Sequence, residues 1–553
     1  MLSSRLGTSQ KTPRPWPSSI RSNQPILGIP EETRQSNSPR ALSQRTASEV
    51  TDSFIRPPNP HIDYGFIPPN CGLREAMSKN RVMVQASEVE NVYSDDGEPS
   101  GCEFDRRNFK IIRDISRAAL ETLVLNLVDP EGQLRLDRCR VTKRDEGSFH
   151  HAVFLEIEHE DQAMEGYVLK IPAHGILEEW RLNDNMMLGC EAKLLQHIRH
   201  HTACPVPEVV AFDGSLRNAI GAPYILMKKM EGIPASDLWL GQPYNTIDNR
   251  ELHLNADDPS PEVEVKRITF LRSLAQAMSQ LGPLEFQYTG VPGYGDPRNR
   301  HPKYIGPTWR WHSKMNMEEP TSGGSFETSD AYFAAGLDRV RDFKHENSLD
   351  DDGMIAKGVD MVMKIIVSSA PFKPSARPHS GNSPSGHDSQ GMPVRETFVL
   401  RHDDLDLQNI LVDYDGNVTG IIDWDGCAAV PRCVGYTSMP TFLRRDWLPD
   451  YALNRLPHMT WAIGRYRKVY SQAMNEFCKS SDAKYTRKSA MDQLVLAALD
   501  KDYSCIEVVE MLLRDMSEYR RIAVDLFCRR LGQGWPAAEE ALKVKIAELL
   551  RPE

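Results

Sequence analysis

The sequence predicts an α+β chain in two lobes, a small N-terminal sheet lobe and a larger, mainly helical one. Three observations predict it. Short strand-like runs crowd into residues 138–232. Segments with apolar residues at helical spacing dominate from 260 onward. At 399–425 two short β-favouring runs, joined by an Asp-Gly turn, interrupt those helices.

Residues 1–102 are expected to form a disordered extension. Ser, Pro, Arg and Asn dominate without periodicity, and so few apolar groups cannot offset the entropy of ordering. Arg5, Lys11, Arg14 and Arg21 precede the first acid, Glu31, a balance found in mitochondrial transit peptides. Pro13, Pro15, Pro17 and Pro25 would break the amphipathic helix that such peptides use.

The sheet lobe is expected over 103–232 and the helical lobe over 233–553. Ile111, Ile112, Ile115, Ala119, Leu123 and Leu127 predict one helix over 108–127, closed by Asp129-Pro130. Strand-like runs follow at 138–143, 152–159 and 166–171, with Gly147 and Ser148 in the first turn. Lys170 lies inside the third run. A buried ammonium there would need a partner carboxylate, unless an edge position lets it snorkel into water. Glu178 and Glu179 follow in a loop, and Glu191 in a helix over 184–200 with Leu188, Leu194, Leu195 and Ile198 on its apolar face.

Further strands are expected from Pro205 to Asp213 and from Ala222 to Gly232. Ser260 and Pro261 start a long helix whose apolar face runs from Ile268 to Leu281. Residues 283–328 have little periodicity, and Tyr304, Trp309 and Trp311 either line a pocket or anchor this stretch to the core. A polar insertion at 375–391 is expected to be a disordered loop. Helices over 494–500, 506–516, 519–531 and 537–550 complete the chain. Glu507, Glu510, Asp515 and Glu518 make an acidic run there, which is usually a solvated face but could attract a cation.

Chemistry concentrates at Val399-Leu400-Arg401-His402-Asp403-Asp404-Leu405-Asp406-Leu407-Gln408-Asn409 and at Ile421-Ile422-Asp423-Trp424-Asp425. Phosphoryl transfer needs one carboxylate to orient and deprotonate a hydroxyl, and two oxygen ligands to hold Mg²⁺ on the phosphates. A loop bearing Asp404 and Asn409, with Asp423 on the far arm of a hairpin, can supply all three. The hairpin sets the spacing that two ligands of one small cation require.

These residues resemble the catalytic segment of the aminoglycoside phosphotransferase family, most closely its large fungal group. The resemblance is strongest over 399–435 and looser over the rest of 103–553. It implies the bilobal protein-kinase-like fold, with Asp404 as catalytic base and Asn409 and Asp423 as Mg²⁺ ligands. His402 would order the loop, and Asp403, Asp406 and Asp425 would be neighbours. By the same resemblance Lys170 would pair with Glu191 and face the α- and β-phosphates. The Gly147-Ser148 turn would lie over the phosphates, with His150 where the family commonly has Asn. Met227 to Met230 would form the hinge that bonds the nucleotide base. ATP, with GTP as an alternative donor, and Mg²⁺ are the implied cofactors, and a hydroxylated small molecule the implied acceptor.

Composition narrows the remaining choices. A net charge of −11, with 40% hydrophobic and 26% charged residues, fits a globular protein without general nucleic-acid affinity. No apolar run approaches the ~18–20 residues that cross a bilayer. The ten cysteines include no Cys-x-x-Cys pair and read as reduced intracellular thiols. With no secretory leader evident, the cytoplasm is the expected compartment and mitochondrial import the alternative. Two other functions compete. One is a kinase-like binding protein without turnover; the other is a protein kinase, which the lack of an Ala-Pro-Glu signature disfavours.

Overall fold

The computed structural model describes residues 106–160, 162–243, 256–307, 325–340, 350–373, 395–449, 451, 459–500 and 503–552, and the backbone of 311–312 and 316–317. All belong to one compact unit, Met77–Glu553. The extension at 1–102, the insertion at 375–391 and Trp309 lie outside the described residues.

Two helices form where one was expected. Helix α1 (Phe109–Arg113) starts at Asn108 and α2 (Arg117–Val128) at Ser116, whose hydroxyl accepts from the Ala119 amide at 3.2 Å. A capping side chain inside an apolar pattern restarts the helix, because it satisfies donors that a new N-terminus exposes. An antiparallel sheet follows, built from β1 (Cys139–Glu146), β2 (His150–Glu158), β3 (Met164–Pro172), β4 (Val209–Asp213) and β5 (Tyr224–Lys228). Its order is β1-β2-β3-β5-β4. Strand β4 begins at Val209 rather than Pro205, since Pro205 and Pro207 have no N–H for a ladder. Strand β5 stops at Lys228, and Gly232 turns the chain at φ +122°.

The sheet is covered on both faces. Val153, Leu155, Leu169, Ile171 and Leu226 pack with Ile112, Leu120 and Val124 of α1 and α2. Helix α3 (Leu182–His201) lies against Val209 and Ile225 through Leu188, Ala192, Leu195 and Ile198. Buried Arg106 pairs with Asp184 at its first turn, and Asp184 also accepts from the Arg181 amide at 2.9 Å. A segment from the second lobe supports the back of α3. Tyr294 stacks on His197 with ring centroids 4.1 Å apart, and the Pro297 carbonyl accepts from His197 Nδ1 at 2.8 Å.

Beyond the sheet run β6 (Ile233–Pro234), α4 (Ala235–Leu240) and α5 (Pro261–Ser279), then a series of two-residue strands. These are β7 (Glu285–Phe286), β8 (Pro292–Gly293), β9 (Tyr304–Ile305) and β10 (Trp311–His312), the last paired with β11 (Asn316–Met317). Helices α6 (Ser329–Val340) and α7 (Asp351–Val367) precede β12 (Phe398–Arg401), β13 (Ile410–Val412), β14 (Val418–Ile421) and β15 (Ala428–Val430). The chain ends in α8 (Ile463–Phe477), α9 (Ala483–Thr486), α10 (Ser489–Leu499), α11 (Cys505–Asp515), α12 (Val524–Gly532) and α13 (Pro536–Leu549). Helix α12 is shorter than expected, because 519–523 form turns in which the Ile522 amide donates to the Tyr519 carbonyl. Strand β12 sits between β15 and β7, and β13 between β14 and β6, so the loop from 402 to 409 leaves one small sheet and enters another. The two-lobed architecture expected from the sequence is present.

Two buried features make the second lobe sensitive to substitution. Helices α7 and α12 cross so closely that a Cβ on Gly358 would overlap the Cys528 carbonyl. Gly358→Ala is expected to cost about 1–3 kcal/mol or more, as overpacking without room to relax does, measured by urea unfolding. Asp492 of α10 is 1% exposed, and its Oδ1 has no hydrogen-bond partner among the described residues. Burial pushes its carboxyl well above the usual range. The folded state therefore holds the proton more tightly, and stability falls as pH rises above the ordinary carboxylate pKa of about 4. Asp492→Asn should raise Tm at pH 7, with the gain shrinking as pH approaches 4.

Candidate functional site

The loop between β12 and β13 is held by its own side chains. His402, 5% exposed, meets Trp424 edge-on at 4.8 Å, and its Nε2 bonds the Ile422 carbonyl at 3.0 Å. Asp406 caps the following turn through the Leu407 amide at 2.8 Å and pairs with Arg445 at 3.0 Å. Asn409 donates from Nδ2 to the Asp404 carbonyl at 2.9 Å and to Asp404 Oδ2 at 3.0 Å. These bonds aim the Asp404 carboxylate and leave Asn409 Oδ1 as an acceptor.

The β13–β14 hairpin sets where Asp423 lies. Ile410 pairs with Ile421 and Leu411 with Gly420, while the Ile422 amide donates to the Asn409 carbonyl at 2.9 Å. The Asp-Gly turn closes through Asp413, which accepts from the Asp415 and Asn417 amides, with Gly416 at φ +97°. Asp423 then adopts φ +61°, a left-handed conformation that Asp tolerates better than most residues. That turn lifts its carboxylate out of the sheet direction and toward the first lobe.

There it meets Lys170. The ammonium lies 2.7 Å from Glu191 Oε1, 3.0 Å from Asp423 Oδ1 and 3.3 Å from Asp425 Oδ2. Glu178 and Glu179 are elsewhere; the Glu179 carbonyl accepts from Arg106 at 2.6 Å. Burial opposes the charge on Lys170, but Asp425, Glu191 and Asp423 outweigh it and hold the ammonium well above its ordinary pKa. Burial also opposes ionisation of Asp425, yet the Lys170 ammonium holds that carboxyl well below the usual range. Glu191, enclosed and beside Asp425, is pushed up.

His150 and Asp425 were not singled out as site residues by their sequence, and the fold brings both in. His150 starts β2 and reaches across the cleft, its Nε2 3.1 Å from Asp425 Oδ2. Burial and the Lys170 charge lower its pKa to about 4, so it bonds as a neutral imidazole. A usable signal was the closeness of Asp425 to Asp423, which puts both carboxylates on the short turn that follows the hairpin.

Asp404 opens onto the cleft. Desolvation at the cleft floor, and then Asp406, Asp423 and Asp403, push its carboxyl up to about 7, against the hydrogen bond from Asn409. The side chain itself is exposed to solvent. A cation among those carboxylates would reverse their effect. The oxygen donors at Asn409 and Asp423 suit a hard cation such as Mg²⁺. His150, Asp423 and Asp425 also offer three ligand atoms within 4.8 Å of one another.

The remaining expected residues lie in the sheet lobe or just past it. Gly147 donates its amide to the His150 carbonyl at 3.0 Å in the β1–β2 turn, and the Ser148 carbonyl accepts from Arg107 at 2.8 Å. A Cβ on Gly147 would meet nothing closer than 3.9 Å, so packing alone does not require glycine there. Met227 pairs with Val168 and Val209 within the sheet. Met230 lies past the strand end, its sulfur against Gly420 of the hairpin. Tyr304 anchors its loop on α3 through Cys190, 3.6 Å away. Glu507 caps α11 through the Ser504 amide, and Glu518 pairs with Lys545, so half of the acidic run serves local structure.

No family model matches the chain. Among curated proteins it is similar to the clavilactone A biosynthesis cluster protein Y of Ampulloclitocybe clavipes, 32% identical over 155 residues, 27% of this chain and 32% of that protein. It is also similar to a subtelomeric hrmA-associated cluster protein of Aspergillus fumigatus, 25% identical over 299 residues, 47% of this chain and 55% of that one. The chain thus spans about a third and just over half of these relatives. Similar solved structures include aminoglycoside phosphotransferase APH(4)-Ia, at TM-score 0.34 and 14% identity, covering 75% of this chain and 98% of that one. Another is macrolide 2′-phosphotransferase type I, at TM-score 0.34 and 14% identity, covering 72% and 97%. Such likeness transfers no site residue, and the roles below rest on this chain's own geometry.

The buried ion cluster yields a direct test. Removing Lys170 leaves carboxylates that lose their common partner, which typically costs about 3–5 kcal/mol. Lys170→Met should show that loss in denaturant unfolding, and Lys170→Met with Glu191→Met should recover part of it.

Proposed function

We propose that the protein is a small-molecule O-phosphotransferase that moves the γ-phosphate of ATP, or of GTP, to the hydroxyl of an acceptor. One observation carries the reading: Lys170, Glu191 and Asp423 meet within hydrogen-bond distance on one cleft, and Asn409 and Asp404 are bonded together on the adjoining loop. Structural ion pairs are common, but this set joins a sheet lysine, a helix carboxylate and a hairpin carboxylate beside an aimed, accessible Asp404.

In this reading the Gly147-Ser148 turn, through the Ser148 amide, and the Lys170 ammonium hold the donor phosphates, and the backbone from Met227 to Met230 meets the base. Asn409 and Asp423 would hold Mg²⁺, which offsets phosphate charge when bound. Asp404 accepts a hydrogen bond from the acceptor hydroxyl and takes its proton as the new P–O bond forms. The bond from the γ-phosphorus to its bridging oxygen breaks, and the nucleoside diphosphate leaves with that electron pair. His402 acts only through the loop it orders.

Thermal shift of the full chain with ATP and GTP, with and without Mg²⁺, tests the donor site. A Mg²⁺-dependent rise in Tm that disappears in Asp423→Ala is expected. Absence of any shift with either nucleotide would put a kinase-like binding protein in its place. Once an acceptor is in hand, Asp404→Ala should lower turnover by at least ~10²-fold, and unchanged turnover would remove the base assignment.

A further inference from the structure

We infer that the acceptor carries an oxyanion, a carboxylate or a phosphate, and that Arg444 receives it. Its description as the acceptor rests on the phosphotransferase reading above; the anion site itself does not.

Arg444 follows the turn Thr441–Leu443, and the Thr441 amide donates to the Leu405 carbonyl at 2.8 Å. This fastens the segment beside the residue that follows Asp404. The titratable groups nearest in effect to Arg444 are Arg401, Tyr503, Asp406 and Asp403, of which Tyr503 is a neutral phenol. Both carboxylates are already engaged, Asp406 by Arg445 and the Leu407 amide, and Asp403 by Arg401 at 3.4 Å. The Arg444 backbone bonds Thr441 and Trp447, but its side chain makes no hydrogen bond or ion pair among the described residues. Its Nε is buried without a partner.

A guanidinium has five donors and stays charged at any accessible pH. Holding one half-buried, without an acceptor and next to a second guanidinium, is unfavourable on both counts. An oxyanion bound by Arg444, and facing Arg401, would satisfy the donors and cancel the repulsion; carboxylates and phosphates match the planar fork. A molecule with its hydroxyl at Asp404 and an oxyanion at Arg444 is a hydroxy acid or a phosphorylated alcohol, not an amine. The acidic run on α11 and after it, the feature that could have favoured a cationic acceptor, is half consumed by the Glu507 cap and the Glu518–Lys545 pair.

Thermal shift on the full chain, with Mg²⁺ and a nonhydrolysable ATP analogue present, provides the test. The probes are malate, glycerol 3-phosphate, glycerol and ethanolamine. Malate or glycerol 3-phosphate should raise Tm, and glycerol and ethanolamine should not. Whichever of the two acts tells carboxylate from phosphate. Arg444→Gln should weaken that response at least about tenfold, while keeping the nucleotide shift and an equal or higher Tm without probe. An anion response unchanged in Arg444→Gln, a response to ethanolamine instead, or no response to either anion overturns the inference. So does loss of the nucleotide shift in Arg444→Gln, which would give this arginine to the donor. Failure of the nucleotide shift in the wild type would count against the phosphotransferase reading alone.

Discussion

One buried ammonium has to be neutralised from several elements at once, and the cleft takes its form from that need. Lys170 lies 9% exposed in a central strand, where an unpaired charge would cost several kcal/mol. Its partners come from helix α3 and from the segment after the β13–β14 hairpin. Neither partner is local in sequence. The cluster therefore ties the sheet, the helix on its face and the hairpin of the second lobe into one electrostatic unit. Small displacements of any of them would be felt by all.

Two supports hold that unit in register. Behind α3, Tyr294 and the Pro297 carbonyl brace His197, so the helix bearing Glu191 is gripped by a segment of the second lobe as well as by the sheet. Burial lowers the His197 pKa to about 4, consistent with a neutral ring that donates to Pro297. Beneath the loop, His402 joins the Ile422 carbonyl and the Trp424 ring, so the two chain segments that carry Asp404 and Asp423 share a buried partner. Positioning here comes from neutral imidazoles, which keep hydrogen bonds without adding charge to an already crowded site.

The departures from the expected elements have ordinary physical causes. Ser116 splits a helix whose apolar spacing was continuous, because a hydroxyl that satisfies exposed amides outweighs periodicity at that point. Prolines delay β4, and turns at 519–523 shorten α12. Among the charged residues, Arg444 stands out because its neighbours are each claimed by another group, a fact about allocation that no single residue carries.

The sequence by itself determined the local pieces: alternation in β2, the Ser260-Pro261 start of α5, the Asp-Gly hairpin, and the grouping of Asp404, Asn409 and Asp423 on one short segment. Each depends on neighbours a few residues away, where spacing is set by covalent geometry. Only the tertiary structure decided that Glu191, rather than Glu178 or Glu179, meets Lys170. It also brought His150 across the cleft to Asp425 and left Arg444 without a partner near the loop. Those outcomes depend on which charges share a low-dielectric space after the chain has folded, and burial couples residues without regard to their separation in sequence.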